Sequence, residues 1–164
     1  YAEITADKGD KGYLYEGPIE HMPRNCSPAV ITGLAHAAIE NISFRNMEIH
    51  YPGGADSNFA KIDLNDVQSI AELPSKYPEY SMFKELPAWG FYIRHARQVR
   101  FENIRMTVHK ADFRPAFVLD DVQDGLFQNF QIKATSSKWT NLKNLDVYKH
   151  RCQLIEIIPP NSNH

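Results

Sequence analysis

Three stretches of the chain share one order of apolar and polar positions. Residues 42–49 read ISFRNMEI, residues 99–106 read VRFENIRM, and residues 125–132 read GLFQNFQI. Each has Phe third, Asn fifth, and apolar residues sixth and eighth. Before the Asn, apolar side chains fall two apart, the alternation of a strand with one buried face. After it the phase slips by one residue, which turns the apolar set outward unless the backbone bends. The bend is expected at Asn46, Asn103 and Asn129, because Asn tolerates left-handed backbone and bonds to its neighbourhood. In stacked layers the three amides would also bond to one another. The plainer reading is three amphipathic strands of an ordinary sandwich that share the pattern by chance.

Each repeat has an apolar run upstream: AVIT at 29–32, GFYI at 90–93 and AFVL at 116–119. Phe91 precedes Phe101 by ten residues, and Phe117 precedes Phe127 by ten. Phe101 and Phe127 are 26 apart, one turn of a coil of short parallel strands. Phe44 and Phe101 are 57 apart, either two such turns or one turn with a long insertion. No stretch has the 3.6-residue periodicity of a long helix. The spacing predicts an all-β chain, a partial parallel β-helix with long loops.

The coils are expected over residues 1–158, with loop excursions at 5–28 and 51–88 and a disordered tail at 159–164. YAEI at the start resembles the end of a repeat, with Tyr1 in the place of Met47 or Ile104. A solenoid needs its open end covered. The expectation is therefore the C-terminal piece of a longer protein, or a partner chain over that end. Within the second excursion, residues 64–73 are expected to hold a short helix capped by Asn65 or Asp66. After the third repeat, residues 144–148 and 153–158 are candidate last strands or a terminal cover.

Composition narrows the partners. The 164 residues are 43% hydrophobic and 23% charged, with a net charge of −2. That gives no electrostatic case for nucleic acid. No apolar run approaches the ~18 residues of a membrane span. Cys26 and Cys152 lack metal or CxxC spacing and read as buried free thiols. An aromatic content of 12% points to stacked core rings or to rings that face sugar.

Candidate chemistry collects at the second excursion. It carries Tyr80 and runs through Trp89 into Arg94 and His95 at the end of a strand. A guanidinium beside aromatic rings suits a sugar carboxylate held by charge-assisted bonds, with the sugar ring stacked on the aromatics. The equally weighted alternative is an Arg that packs over the loop. Asp120 and Asp121 invite an acid/base reading. Neighbours on a strand face opposite sides, so a turn-forming pair bonded to local backbone is the better expectation.

Residues 31–54, 77–106 and 114–130, with ITGLAHAAIENISFRNMEIHYPGG, YPEYSMFKELPAWGFYIRHARQVRFENIRM and RPAFVLDDVQDGLFQNF, resemble the C-terminal part of polygalacturonase-like glycoside hydrolases of family 28, Bacteroides-type members above all. The resemblance implies a right-handed parallel β-helix of the pectin-lyase type. It also implies a secreted or periplasmic parent that hydrolyses pectic or other acidic polysaccharide by inversion, without cofactor. The family's N-T-D, G-H-G and R-I-K motifs do not occur, and Leu119-Asp120-Asp121 departs from its G-D-D or Q-D-D pair. No catalytic or metal residue is therefore assigned. Arg94, His95, Tyr80 and Trp89 are the substrate-binding candidates, by position and not by the family motif. The alternative is a non-catalytic carbohydrate-binding or protein-interaction module.

Overall fold

The computed structural model describes residues 3–5, 28–55, 64–75, 83, 86–134, 140–141 and 146–160. Among them lie eight strands: β1 (Glu3–Thr5), β2 (Ala29–Thr32), β3 (Ile39–Gly53), β4 (Phe91–Lys110), β5 (Phe117–Ala134), β6 (Thr140–Asn141), β7 (Val147–His150) and β8 (Gln153–Ile158). They form one sheet, ordered β1-β3-β4-β5-β6, with β2 on β4 and both β7 and β8 on β5. Every strand pairing is parallel except β5 with β6, where Ile132 faces Thr140. The chain is all-β.

The three repeats lie side by side. Phe44 pairs with Phe101, and Phe101 with Phe127. The 57-residue interval is thus one layer with a long insertion. The Phe44 and Phe101 rings stack 4.9 Å apart, and the Phe101 and Phe127 rings 5.1 Å apart. Upstream, Phe91 stacks on Phe117 at 5.2 Å and meets Phe101 edge-on at 5.0 Å. Interlocked rings of this kind contribute about 0.5–1.5 kcal/mol per pair beyond the area they bury. Six of the nine phenylalanines join this stack.

Long strands stay in register because they bend together. Asn46, Asn103 and Asn129 have φ of 54°, 57° and 51°. Each turns the chain over by one position, so Val99 and Phe101 before the bend and Ile104 and Met106 after it share one core. The amides form the expected ladder: Asn129 donates to Asn103 at 2.7 Å, and Asn103 to Asn46 at 2.9 Å. Two further columns of left-handed residues carry other side chains. One runs Asn41, Gln98, Asp124, Leu154; the other runs His95, Asp121, Arg151.

The upstream runs are apolar throughout because both their faces are covered, as in buried parallel sheets. Phe91, Ile93, Phe117 and Leu119 face the main core. Tyr92 and Val118 face a second cluster of Val67, Ile70, Phe83, Leu86 and Ala88 from the long excursion. A clasp at Asp112 and Arg114 holds both ends of that excursion. Asp112 takes Arg114 in a paired 3.0 Å contact and accepts the Ala55 amide at 3.1 Å, while Arg114 donates to the Leu86 carbonyl at 3.2 Å. Gly90 has no room for a side chain: a Cβ there would meet Met106 Cε at 2.5 Å and the Ala116 carbonyl at 2.6 Å.

Two expectations need correction. The short helix is a 3-10 helix, Leu64–Ser69, kinked at Asp66 instead of capped there. In β1, Glu3 pairs with Glu48, one position from the register that Tyr1 opposite Met47 implies. The shift pairs Ile4 with Ile49 in register. Last strands do follow, both parallel to β5: β8 has the expected bounds, whereas β7 is Val147–His150, with residues 144–145 outside the described residues. Cys152 is a half-buried free thiol, raised in pKa by burial. Cys26, most of the first excursion and residues 161–164 lie outside the described residues.

Candidate functional site

Arg94 ends the first straight segment of β4, beside Asp120 of β5, which in turn pairs with His150 of β7. All three positions point away from the main core, under the excursion. Asp120 is wholly buried, which alone would raise its carboxyl. Hydrogen bonds from His150 (2.8 Å) and Arg151 (2.8 and 3.1 Å), with the charges of Arg151 and Arg94, outweigh that and hold it below the usual carboxylate range. Arg94 Nε stands 2.9 Å from Asp120 Oδ2 as an ion pair without hydrogen-bond alignment. Its Nη1 donates to the Ile70 carbonyl at 2.5 Å. A buried carboxylate is tolerated only when so paired.

His95 occupies the next position, at a left-handed bend with φ 49°. Its Nδ1 is 2.7 Å from Asp121 Oδ2 and its Nε2 is 3.0 Å from Glu72 Oε1. Each ring nitrogen thus faces a carboxylate oxygen. The His95 bond holds Glu72 below the usual carboxylate range. Glu72 also lies 3.7 Å from Arg94, so it joins the two halves of the network. Beside them, burial pushes the Tyr92 phenol up to about 12.

Of the four substrate-binding candidates, the structure brings Arg94 and His95 together and sets both under the excursion, 5% and 2% exposed. Their polar atoms are engaged by the network, which pins residues 70–72 to the sheet. Trp89 lies in the core, edge-on to Tyr51 at 5.4 Å. Tyr80 is outside the described residues. Asp120 and Asp121 are not a turn bonded to local backbone. The bend at Asp121, φ 54°, lets both carboxylates enter one network of distant side chains.

Sequence reasoning missed Glu72, His150 and Arg151. A signal for one of them existed: Arg94, Asp120 and His150 each follow a three-residue strand core, FYI, FVL and VYK. Glu72 comes from the excursion and carries no positional mark.

A second surface is open to solvent. Between two columns of bends lies a shallow depression of about 300 Å³, floored by Glu40, Arg97, Gln123 and Gln153 in register and edged by Gln98, Asp124 and Leu154. Arg97 donates to Gln123, and Arg100 grips Asp124 through two 2.9 Å contacts. The depression offers amides and charges at strand spacing, roughly 4.8 Å apart. Its two carboxylates are Glu40 and Asp124, and Asp124 is committed to Arg100. Among the described residues no three His, Cys, Asp or Glu converge on a metal position, and no helix is long and apolar enough to cross a membrane. The chain matches no family model, no curated protein and no solved structure.

Proposed function

We propose that these strands are coils of a right-handed parallel β-helix, and that the chain is the C-terminal portion of a polygalacturonase-like glycoside hydrolase. In that reading it walls the groove for a pectic or other acidic polysaccharide, and an N-terminal part of the same protein or a partner chain covers the open end. The parent is secreted or periplasmic. The observation that carries the reading is the register of Phe44, Phe101 and Phe127 in adjacent parallel layers, bent in common at two columns. Asp120 and Asp121 are both committed to basic partners, which argues against their acting as a catalytic pair in this chain alone.

A second reading, a carbohydrate-binding module, is favoured by the open polar depression beside Leu154. Both readings put sugar contact there. The test is affinity electrophoresis of the chain through polygalacturonan, with a neutral glucan as control and a reducing-sugar assay on the same sample. Retardation by polygalacturonan without sugar release is expected. Sugar release would overturn the non-catalytic role, and migration unaffected by either polymer would overturn the carbohydrate assignment.

A further inference from the structure

Past the Asn bend, β3 and β4 each carry a histidine near their ends, His50 and His109. The two rings stack with centroids 5.3 Å apart and planes inclined by 20°, and His50 Nδ1 lies 3.2 Å from His109 Nε2. Glu48 places Oε1 3.6 Å from the other nitrogen of His50, Nε2. The arrangement is separate from the Arg94–Asp120 network and from the depression.

We propose that His50 and His109 form a two-imidazole site for a divalent late transition-metal ion, Zn2+ or Cu2+, with Glu48 as the outer partner that orients His50. Three features of the geometry argue for it. Nitrogens that each bind zinc at about 2.1 Å and stand 3.2 Å apart subtend an angle of roughly 100° at the metal, between the octahedral and tetrahedral values. A carboxylate near the distal nitrogen is the usual companion of a metal-bound His. Glu48 stands 3.6 Å from Nε2, beyond hydrogen-bond distance, and drawn in on metal binding it would fix the proton on Nε2 and leave the Nδ1 lone pair for the ion. The torsion that swings each ring, χ2 of His, is soft, so a small rotation brings both lone pairs onto one point.

Imidazole selects zinc and copper over the hard cations Mg2+ and Ca2+. Two protein ligands leave the remaining positions to water or to an oxygen ligand from a partner molecule. His50 pairs with Thr107, so His109 lies two positions further along the adjacent strand of the continuous β3–β4 ladder.

The test is titration of the full chain with Zn2+ near neutral pH, followed by isothermal calorimetry, with Mg2+ as control. One equivalent of Zn2+ should bind, and binding should weaken in acid, where protons compete for imidazole. Glu48→Gln should weaken it by about 10-fold, with larger losses in His50→Ala and His109→Ala and none remaining in the double variant. Electron paramagnetic resonance of the Cu2+ form of the unaltered chain should show two equivalent nitrogens, a readout that needs no variant to fold. Unchanged Zn2+ uptake by a folded double variant, no uptake by the parent chain, or a copper spectrum with one or no nitrogen would overturn the proposal.

Discussion

Asn129 Nδ2 lies 2.7 Å from Oδ1 of Asn103, a residue 26 positions earlier in the chain. Asn103 passes the same bond on to Asn46. One residue type therefore meets two demands at these bends, a left-handed backbone and a lateral bond between layers. Replacing Asn103 separates them. Asn103→Gly keeps the backbone and loses two exposed hydrogen bonds, each worth about 0.5–1.5 kcal/mol. Asn103→Ala loses the bonds and adds left-handed strain of about 1–2 kcal/mol. Urea unfolding should rank the chains parent, Gly, Ala. Equal stability of the two variants would mean the bend carries no strain.

The Asn column was legible in the sequence because a single residue type marks it. The other two bend columns were not. They use Gln98, Asp124 and Leu154, or His95, Asp121 and Arg151, and neighbouring layers hold those backbones in place whatever their side chains prefer. The upstream apolar runs were legible as strands, yet not their double burial. That depends on the excursion folding back over Tyr92 and Val118, a contact with no periodic trace. Trp89 read as a sugar platform because it ends an aromatic loop. Its backbone amide is tied to the Pro115 carbonyl at 3.0 Å, which turns the ring inward onto Tyr51.

Phe101 is the centre of the aromatic stack, fully buried and in contact with Phe44, Phe91, Phe117, Phe127 and Phe130. Phe101→Ala should cost about 3–5 kcal/mol, since rings on every side resist collapse into the void. Phe44, half-buried at the edge of the stack, should cost less on the same change. Chemical denaturation of both variants checks the order. A larger loss at Phe44 would put the centre of the core elsewhere.

Asp120 makes stability pH-dependent in a stated direction. Its folded pKa is lowered, so the unfolded chain binds the proton more readily. The stabilisation is full above the unfolded aspartate value of about 3.9. It is lost as pH falls through the lower folded value. Asp120→Asn should destabilise at neutral pH by about 3–5 kcal/mol, because Arg94 and Arg151 lose their counter-charge. It should also flatten the acid limb. Glu72 is lowered as well, so Glu72→Gln is needed to apportion the limb. An acid limb in Asp120→Asn as steep as the parent's would remove Asp120 from this role.

Leu154 combines two liabilities: its side chain is 81% exposed and its φ is 54°. A bulky residue in left-handed backbone costs about 1–2 kcal/mol, and here almost no burial offsets it. The equivalent bend positions in the preceding layers are Asn41, Gln98 and Asp124, all polar. Leu154→Asn should therefore raise stability by about 1 kcal/mol, read as a higher denaturation midpoint at unchanged slope. Strain kept at an exposed position motivates a contact role, and Leu154 edges the open depression that the proposed function assigns to sugar. The same variant should consequently lose retardation in polygalacturonan while gaining stability. A stabilised Leu154→Asn that still binds the polymer as the parent does would detach the strain at Leu154 from sugar contact.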